Sequence, residues 1–327
     1  MSQTMKAVVM HAPGGPEVLK VERLPVPRPD ASQVLIKVKA FGLNRSELFT
    51  RQGHSPGVTF PRVLGIEAVG TVESAPGGQF SAGQTVATVM GGMGRQFDGS
   101  YAQYTVVPAS QVKAVETALP WNVLGALPEM LQTAWGALFR CLRLQAGERL
   151  LIRGGTTSVG LAAAAIARAH GAVVGATSRS TDGEAAVRAA GASHFFRDDG
   201  AIAPAVHAAW PGGAYKVLEL VGTTTLIDSL MATAESGTVC MAGMVGDQWS
   251  LQHFAPMDAI PTGVSLTTYS GGVADFMALP LQQLIDKVEM GGMPIALGRT
   301  FRLDEIVQAH AAMEGASARG KLVVLAS

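Results

Sequence analysis

The chain has only two cysteines in 327 residues, Cys141 and Cys240, far apart in sequence. Two isolated cysteines cannot build a four-cysteine zinc lobe, and they suggest no disulfide framework. An excess of either charge is also missing, because 25 Lys and Arg balance 25 Asp and Glu. That balance gives no support for a nucleic-acid or anionic-membrane partner. No apolar run reaches transmembrane length without a polar or charged interruption. The stretch Met1–Met10 runs into a short strand and lacks the apolar core of a secretory signal. His11, His54, His170, His194, His207, His253 and His310 show no i,i+4 ligand pair, so surface or helix-end positions are expected for most of them. These absences leave a soluble, cytoplasmic protein acting on a small molecule as the expectation.

What is present is 48% hydrophobic residues and 39 glycines, enough for about two domains with many tight turns. The first third reads as β-rich, with strands at Lys6–Met10, Val18–Val21, Val34–Ala40, Val63–Ser74, Thr85–Met90 and Gly99–Pro108. Pro25–Pro29 reads as an extended connector, and Gly91–Gly99 as flexible by composition, either a gate or only a long loop. From about Leu124 helices and strands alternate. Strands are expected at Leu150–Arg153, Ala172–Thr177, Ser193–Phe196, Lys216–Val221, Thr238–Met244 and Val264–Thr268. Helices are expected at Val159–His170, Asp182–Ala190, Ala201–Trp210, Thr223–Ala234 and Phe276–Met290. Such βα alternation predicts an α/β protein with a doubly wound parallel sheet. The expected division is 1–123, 124–267 and a return segment, 268–327, ending in the strand Lys321–Leu325 and completing the first domain.

The most informative motif lies in mid-chain. The strand Arg149–Arg153 runs into Gly154-Gly155-Thr156-Thr157-Ser158-Val159-Gly160, and an alanine-rich helix follows. A strand, a turn without bulky side chains and a helix N-terminus is how a Rossmann unit holds a pyrophosphate, on free N–H groups and the helix dipole. Thr157 stands where the usual pattern has its middle glycine, yet it still offers an N–H and a hydroxyl. The alternative is an ordinary strand–helix turn. At the end of the next strand, where NAD-binding folds carry an acidic residue, this chain has Thr177-Ser178-Arg179. An arginine with hydroxyl neighbours suits a 2′-phosphate, which points to NADP(H), unless Arg179 is simply a solvated loop residue.

Combined and in order, further segments carry a resemblance. They are Met5–Val9, Pro16–Leu19, Val34–Val38, Gly42–Asn44, Arg51–Gly53, Pro61–Glu67, Gly99–Tyr104 and Gly320–Val324. Over nearly its whole length the chain resembles the medium-chain dehydrogenase/reductase superfamily, in its zinc-independent quinone oxidoreductase and zeta-crystallin branch. The resemblance implies a GroES-like β-rich catalytic domain, an NADP(H)-binding Rossmann domain and a cleft between them. It also implies a homodimer, with Val264–Thr268 as the edge strand that forms it. Zinc members carry a cysteine where this chain has Asn44 and a histidine where it has Ile66, and neither residue here is a plausible zinc ligand. The expected set is therefore NADP(H) without zinc.

By the match to the family pattern, Asn44, Phe49 and Thr133 would line the nicotinamide site. Asn44 would bond a substrate oxygen or the ribose, or else serve its own turn. Phe49 stands where some relatives carry tyrosine, so a candidate proton donor is lost. Thr133 sits near the nicotinamide in the family pattern, or bonds its own helix backbone. The turn Gly155, Thr156, Thr157, Ser158, Val159 and Gly160, with Ser178 and Arg179, would hold the adenosine and phosphates. Val221-Gly222, Gly243-Met244-Val245 and Tyr269-Ser270 follow strands and would contact the cofactor, or be plain turns. Without a metal, the chemistry that suits a bound nicotinamide is hydride transfer to a quinone or an activated alkene. The readings left open are a quinone reductase, an enoyl or alkenal double-bond reductase, and a non-catalytic NADPH-binding protein.

Overall fold

The computed structural model describes residues 3–315 and 320–326. Expectations for Met1, Ser2, residues 316–319 and Ser327 lie outside the described residues. The chain divides into two compact units. The first takes residues up to Glu129, Gly271–Glu289 and those from Leu297 on, and the second takes Met130–Ser270 and Met290–Ala296.

In the first unit β1 (Thr4–Met10) lies between β2 (Leu19–Pro25) and β4 (Arg62–Val63) in an antiparallel sheet. The larger sheet uses β3 (Gln33–Gly42), β5 (Glu67–Ser74), β6 (Thr85–Val89), β7 (Tyr104–Pro108) and β8 (Val112–Ala114). The expected strand Val63–Ser74 is broken at Leu64-Gly65-Ile66. Gly65 takes φ +106°, and a Cβ there would meet Ser100 Oγ at 2.3 Å, so the backbone turns where only glycine passes. Of Gly99–Pro108 only β7 is strand, while Tyr101 donates its N–H to Leu64 O and Ala102 forms a lone bridge to Ala7. The segment Gly91–Gly99 is closed on itself and is not an open loop. Gly92 O accepts from the N–H groups of Arg95, Gln96 and Phe97, and Met93 is buried.

The second unit is one parallel sheet of β9 (Arg149–Arg153), β10 (Val173–Ser178), β11 (His194–Arg197), β12 (Ala214–Glu219), β13 (Thr233–Met241) and β14 (Ser265–Thr268). Its order is β11-β10-β9-β12-β13-β14, which is doubly wound, with the reversal between β9 and β12. The helix Thr223–Met231 ends before Thr233, because Thr233 and Ala234 open β13. Leu151, Val217, Val239 and Trp210 pack in its core. The helix Pro128–Trp135 continues into a π-helical turn, Gly136–Cys141.

The return segment supplies two strands where one was expected. They are β15 (Leu297–Arg302) and β16 (Lys321–Leu325), which extend the first unit's sheet as β15-β16-β3-β5-β6-β8, with β7 also on β3. The single helix expected over Phe276–Met290 is two, Val273–Ala278 and Leu281–Glu289. Pro280 explains the break: it forces Leu279 out of the helical region, to φ −60° and ψ 130°. Lys113 Nζ covers the first helix's C-terminus by donating to the carbonyls of Met277 (3.1 Å) and Leu279. Among the described residues no helix is long and apolar enough to cross a membrane.

Candidate active site

In the second unit the glycine turn sits beyond β9, at the reversal of strand order. Gly154 takes φ +79°. A Cβ on Gly155 would meet Ala176 Cβ at 2.8 Å, and one on Gly160 would meet Gly154 O at 2.6 Å. These two glycines let the helix Ser158–Ala169 approach the sheet. Thr157 is its N-cap: the hydroxyl accepts the Gly160 N–H (3.0 Å) and donates to Gly154 O (2.8 Å). The Thr157 N–H also goes to Gly154 O. The threonine's donors are therefore engaged inside the turn. The Ser158 and Val159 N–H groups have no bond among the described residues, and they stand at the positive end of a 12-residue helix. Thr156 is half-buried, Ser178 ends β10, and Arg179 just beyond it is exposed. A Cβ on Gly183 would meet Ser178 Oγ at 2.4 Å and Thr156 Cγ2 at 2.7 Å, so the turn Thr181–Gly183 lies against both.

Beneath this turn lies a buried ionic network that the sequence reading missed. Arg153 is fully buried and makes a bidentate pair with Asp198 (2.9 and 2.8 Å), and its Nη1 donates to Asp228 Oδ2 (2.6 Å). Burial alone would lower the Arg153 pKa, but the Asp198 carboxylate outweighs it and raises it. Thr177 Oγ1 donates to Asp198 (3.2 Å) and accepts the Gly154 N–H (3.1 Å), which ties the network to the turn. The Glu219 carboxylate accepts the N–H groups of Val221 (2.7 Å) and Gly222 (3.0 Å). A charge that closes the otherwise apolar strand run Leu150-Leu151-Ile152-Arg153, or sits within Val217-Leu218-Glu219-Leu220, was the available signal.

The loops Val221-Gly222 and Gly243-Met244-Val245 come together. Val245 donates its N–H to Leu220 O (3.2 Å), and a Cβ on Gly243 would meet Leu220 O at 2.5 Å. Gly222 has φ +107°. Thr133 is half-buried on the helix Pro128–Trp135. Tyr269 is buried, its ring seated where a Cβ on Gly136 would be, and its hydroxyl donates to Gln132 O (3.3 Å), while Ser270 is exposed.

In the first unit Asn44 opens the helix Arg45–Arg51 and is buried in a polar cluster. Its Nδ2 donates to Glu67 Oε1 (3.0 Å) and Glu47 Oε1 (3.3 Å), and Lys321 Nζ donates to its Oδ1. Lys321 Nζ also lies 2.9 Å from Glu67 Oε1 and 3.4 Å from Glu129 Oε2. Burial, which alone would lower the Lys321 pKa, is outweighed by these carboxylates. Burial pushes the Glu47 carboxyl up to about 7, with Glu67 adding to the rise. Glu47 thus holds a proton near neutrality, while Glu67 faces the ammonium. A Cβ on Gly42 would meet Lys321 Cε at 2.3 Å, so the lysine passes only because Gly42 has no side chain. The side chain of Asn44 is engaged at both ends within this unit, and Phe49 is buried in the same helix. Nearby, Arg95 Nη2 donates to Ser46 Oγ (2.6 Å). A hydroxyl that accepts from a guanidinium still has its own proton to donate. His310 departs from the surface position expected of most histidines: it is fully buried, and its Nε2 is 2.9 Å from Tyr101 Oη. Burial, with Arg51 nearby, pushes its pKa down to about 3.

A β-rich unit and a doubly wound parallel sheet with a glycine turn at its strand-order reversal are the architecture of dinucleotide-binding folds. Residues 30–117 match the alcohol dehydrogenase GroES-like domain, and residues 190–324 match the zinc-binding dehydrogenase family. The chain is 31% identical to a quinone oxidoreductase of Rattus norvegicus and 29% identical to that of Homo sapiens, over 98% of each chain in both cases. It is 29% identical to a geraniol dehydrogenase of Castellaniella defragrans, over 97% of each chain. Among solved structures it is similar to AibC (TM-score 0.89, 26% identity, covering 99% of this chain and 96% of that one). It is likewise similar to a mycobacterial protein solved with NADPH (TM-score 0.87, 26% identity, covering 98% and 99%). The chain belongs to the medium-chain dehydrogenase/reductase superfamily, in its quinone oxidoreductase branch of zeta-crystallin type.

Proposed function

We propose that this oxidoreductase is a zinc-independent reductase that uses NADPH to reduce quinones. The observation that carries the reading is the turn at the strand-order reversal, where the Ser158 and Val159 amides stand at a helix N-terminus with Arg179 exposed beyond β10. These residues fit a nicotinamide dinucleotide. The amides and the helix dipole would hold the pyrophosphate, and Arg179 with Ser178 would pair with a 2′-phosphate. The Glu219 carboxylate fixes the Val221-Gly222 loop beside it. When bound, the nicotinamide supplies the hydride.

The zinc that one matching family's name implies does not fit this chain. Where zinc members carry a cysteine and a histidine stand the amide of Asn44 and the apolar Ile66, and the Lys321 ammonium already bonds the Asn44 amide oxygen and the neighbouring Glu67 carboxylate. A cation there would displace a buried ammonium. The Asn44 side chain then belongs to the scaffold of the first unit rather than to substrate. Cytoplasmic residence and a homodimer remain part of the same reading.

The test is anaerobic oxidation of NADPH by the EDTA-treated protein with 1,4-naphthoquinone, and NADH in parallel. Rapid, NADPH-selective turnover is expected. NADPH binding without turnover would overturn quinone reduction and move the reading to an activated alkene, or, failing that, to a non-catalytic binder.

A further inference from the structure

The second unit holds two thiols that the reductase reading does not use. Cys141 ends the π-helical turn Gly136–Cys141 and is half-buried. Cys240 is fully buried in β13, where its Cα pairs in register with Thr267 of β14. The Cys141 thiol donates to the carbonyl of Thr268, the next residue along β14 (3.4 Å). Both cysteines therefore sit at the same level of the β13–β14 pair, one on the strand and one packed over its neighbour. Cysteines remote in sequence are thus brought to one place in the fold by the packing of one helical turn on a strand pair. Both are free, and one of them can be reached from solvent.

We propose that Cys141 and Cys240 are a reversible thiol–disulfide site, oxidised by low-molecular-weight disulfides. The accessible Cys141 thiolate attacks one sulfur of the small disulfide; the new S–S bond is a mixed disulfide, and one small thiolate leaves. The Cys240 sulfur then attacks the Cys141 sulfur, the bond to the small thiol breaks, and a second thiolate leaves. The protein gives up two protons and two electrons, which reappear in two small thiols. Burial, with Cys141 beside it, pushes the Cys240 thiol well above its usual range, so the second step is the slow one and speeds up with pH. The closed bond pins the π-helical turn to β13, beside the Tyr269 ring that Gly136 accommodates. The site is independent of which substrate the enzyme reduces.

The experiment incubates the full chain with oxidised glutathione at pH 8.5, quenches with acid, alkylates in denaturant and maps the peptides by mass spectrometry. In the wild type both thiols should disappear into a Cys141–Cys240 cross-linked peptide, lighter by two hydrogens, and dithiothreitol should restore them. Cys240→Ala should stop at a glutathione adduct on Cys141. Cys141→Ala should leave Cys240 unmodified. A wild-type protein that keeps a stable adduct on Cys141 beside a free Cys240 would overturn the proposal. So would a disulfide between two chains, or two unreacted thiols.

Discussion

At the scale of single residues, the decisive side chains are buried charges held by one another. Lys321 compensates Glu67 and fixes the Asn44 amide. Lys321→Met should cost about 3–5 kcal/mol of stability, because it strands a buried carboxylate. Urea unfolding measures this, and a loss under about 1 kcal/mol would mean that water reaches the cluster. Two buried groups give opposite pH slopes. His310, depressed to about 3, is protonated more readily in the unfolded chain, so stability falls as pH drops from about 6.5 towards 3. Glu47, raised to about 7, holds its proton in the folded chain, so stability falls as pH rises from about 4.5 to 7. Between about 4.5 and 6.5 the two oppose each other. Glu47→Gln should therefore make acid destabilisation steeper in that window, visible as a larger shift of the urea midpoint with pH than in the wild type. Arg179→Ala should raise KM for NADPH far more than KM for NADH, and equal effects would remove the case for a 2′-phosphate partner.

At the scale of elements, what was legible was what is local. The glycine turn, its helix and the strand after it were readable because a few adjacent residues dictate them. The role of Thr157 was only half readable: the spacing to Gly160 suits a cap, but the sequence alone left its hydroxyl free for a ligand. Thr157→Ala should cost about 1 kcal/mol, whereas Thr157→Gly should lose only a few tenths and leave dinucleotide affinity nearly unchanged, as measured by fluorescence titration. A large loss of affinity in Thr157→Gly would return the hydroxyl to the ligand. The split at Leu279-Pro280 was signalled by the proline, yet the apolar spacing on both sides read as one helix. The Arg153 network was hidden because Asp198, Asp228 and Glu219 come from three separate elements, and each looks solvated in isolation.

At the scale of the whole molecule, βα alternation made the second unit's class readable, but not its strand order, which depends on pairings between distant segments. The first unit was less legible. Its sheet draws on both ends of the chain, β15 carries no strong alternation, and Lys321 bonds a residue 277 positions away. The strand β14 lies at the edge of its sheet, where the resemblance places a dimer contact. If that edge joins two copies, Ser265→Lys, at an exposed position, should shift the sedimentation coefficient towards the monomer. An unchanged coefficient would separate this edge from self-association.

The pairing of β16 with β3 also has a consequence for how the protein is made. Until the ribosome has added Lys321–Leu325, β3 lacks one of its partner strands and Glu67 lacks its counter-ion. The second unit, whose strands all lie between Arg149 and Thr268, has its complete sheet by then. The part synthesised first is therefore the part finished last, and a nascent chain stalled just short of Lys321 would carry one complete sheet and one sheet with an unpaired β3 edge, a ready target for a chaperone.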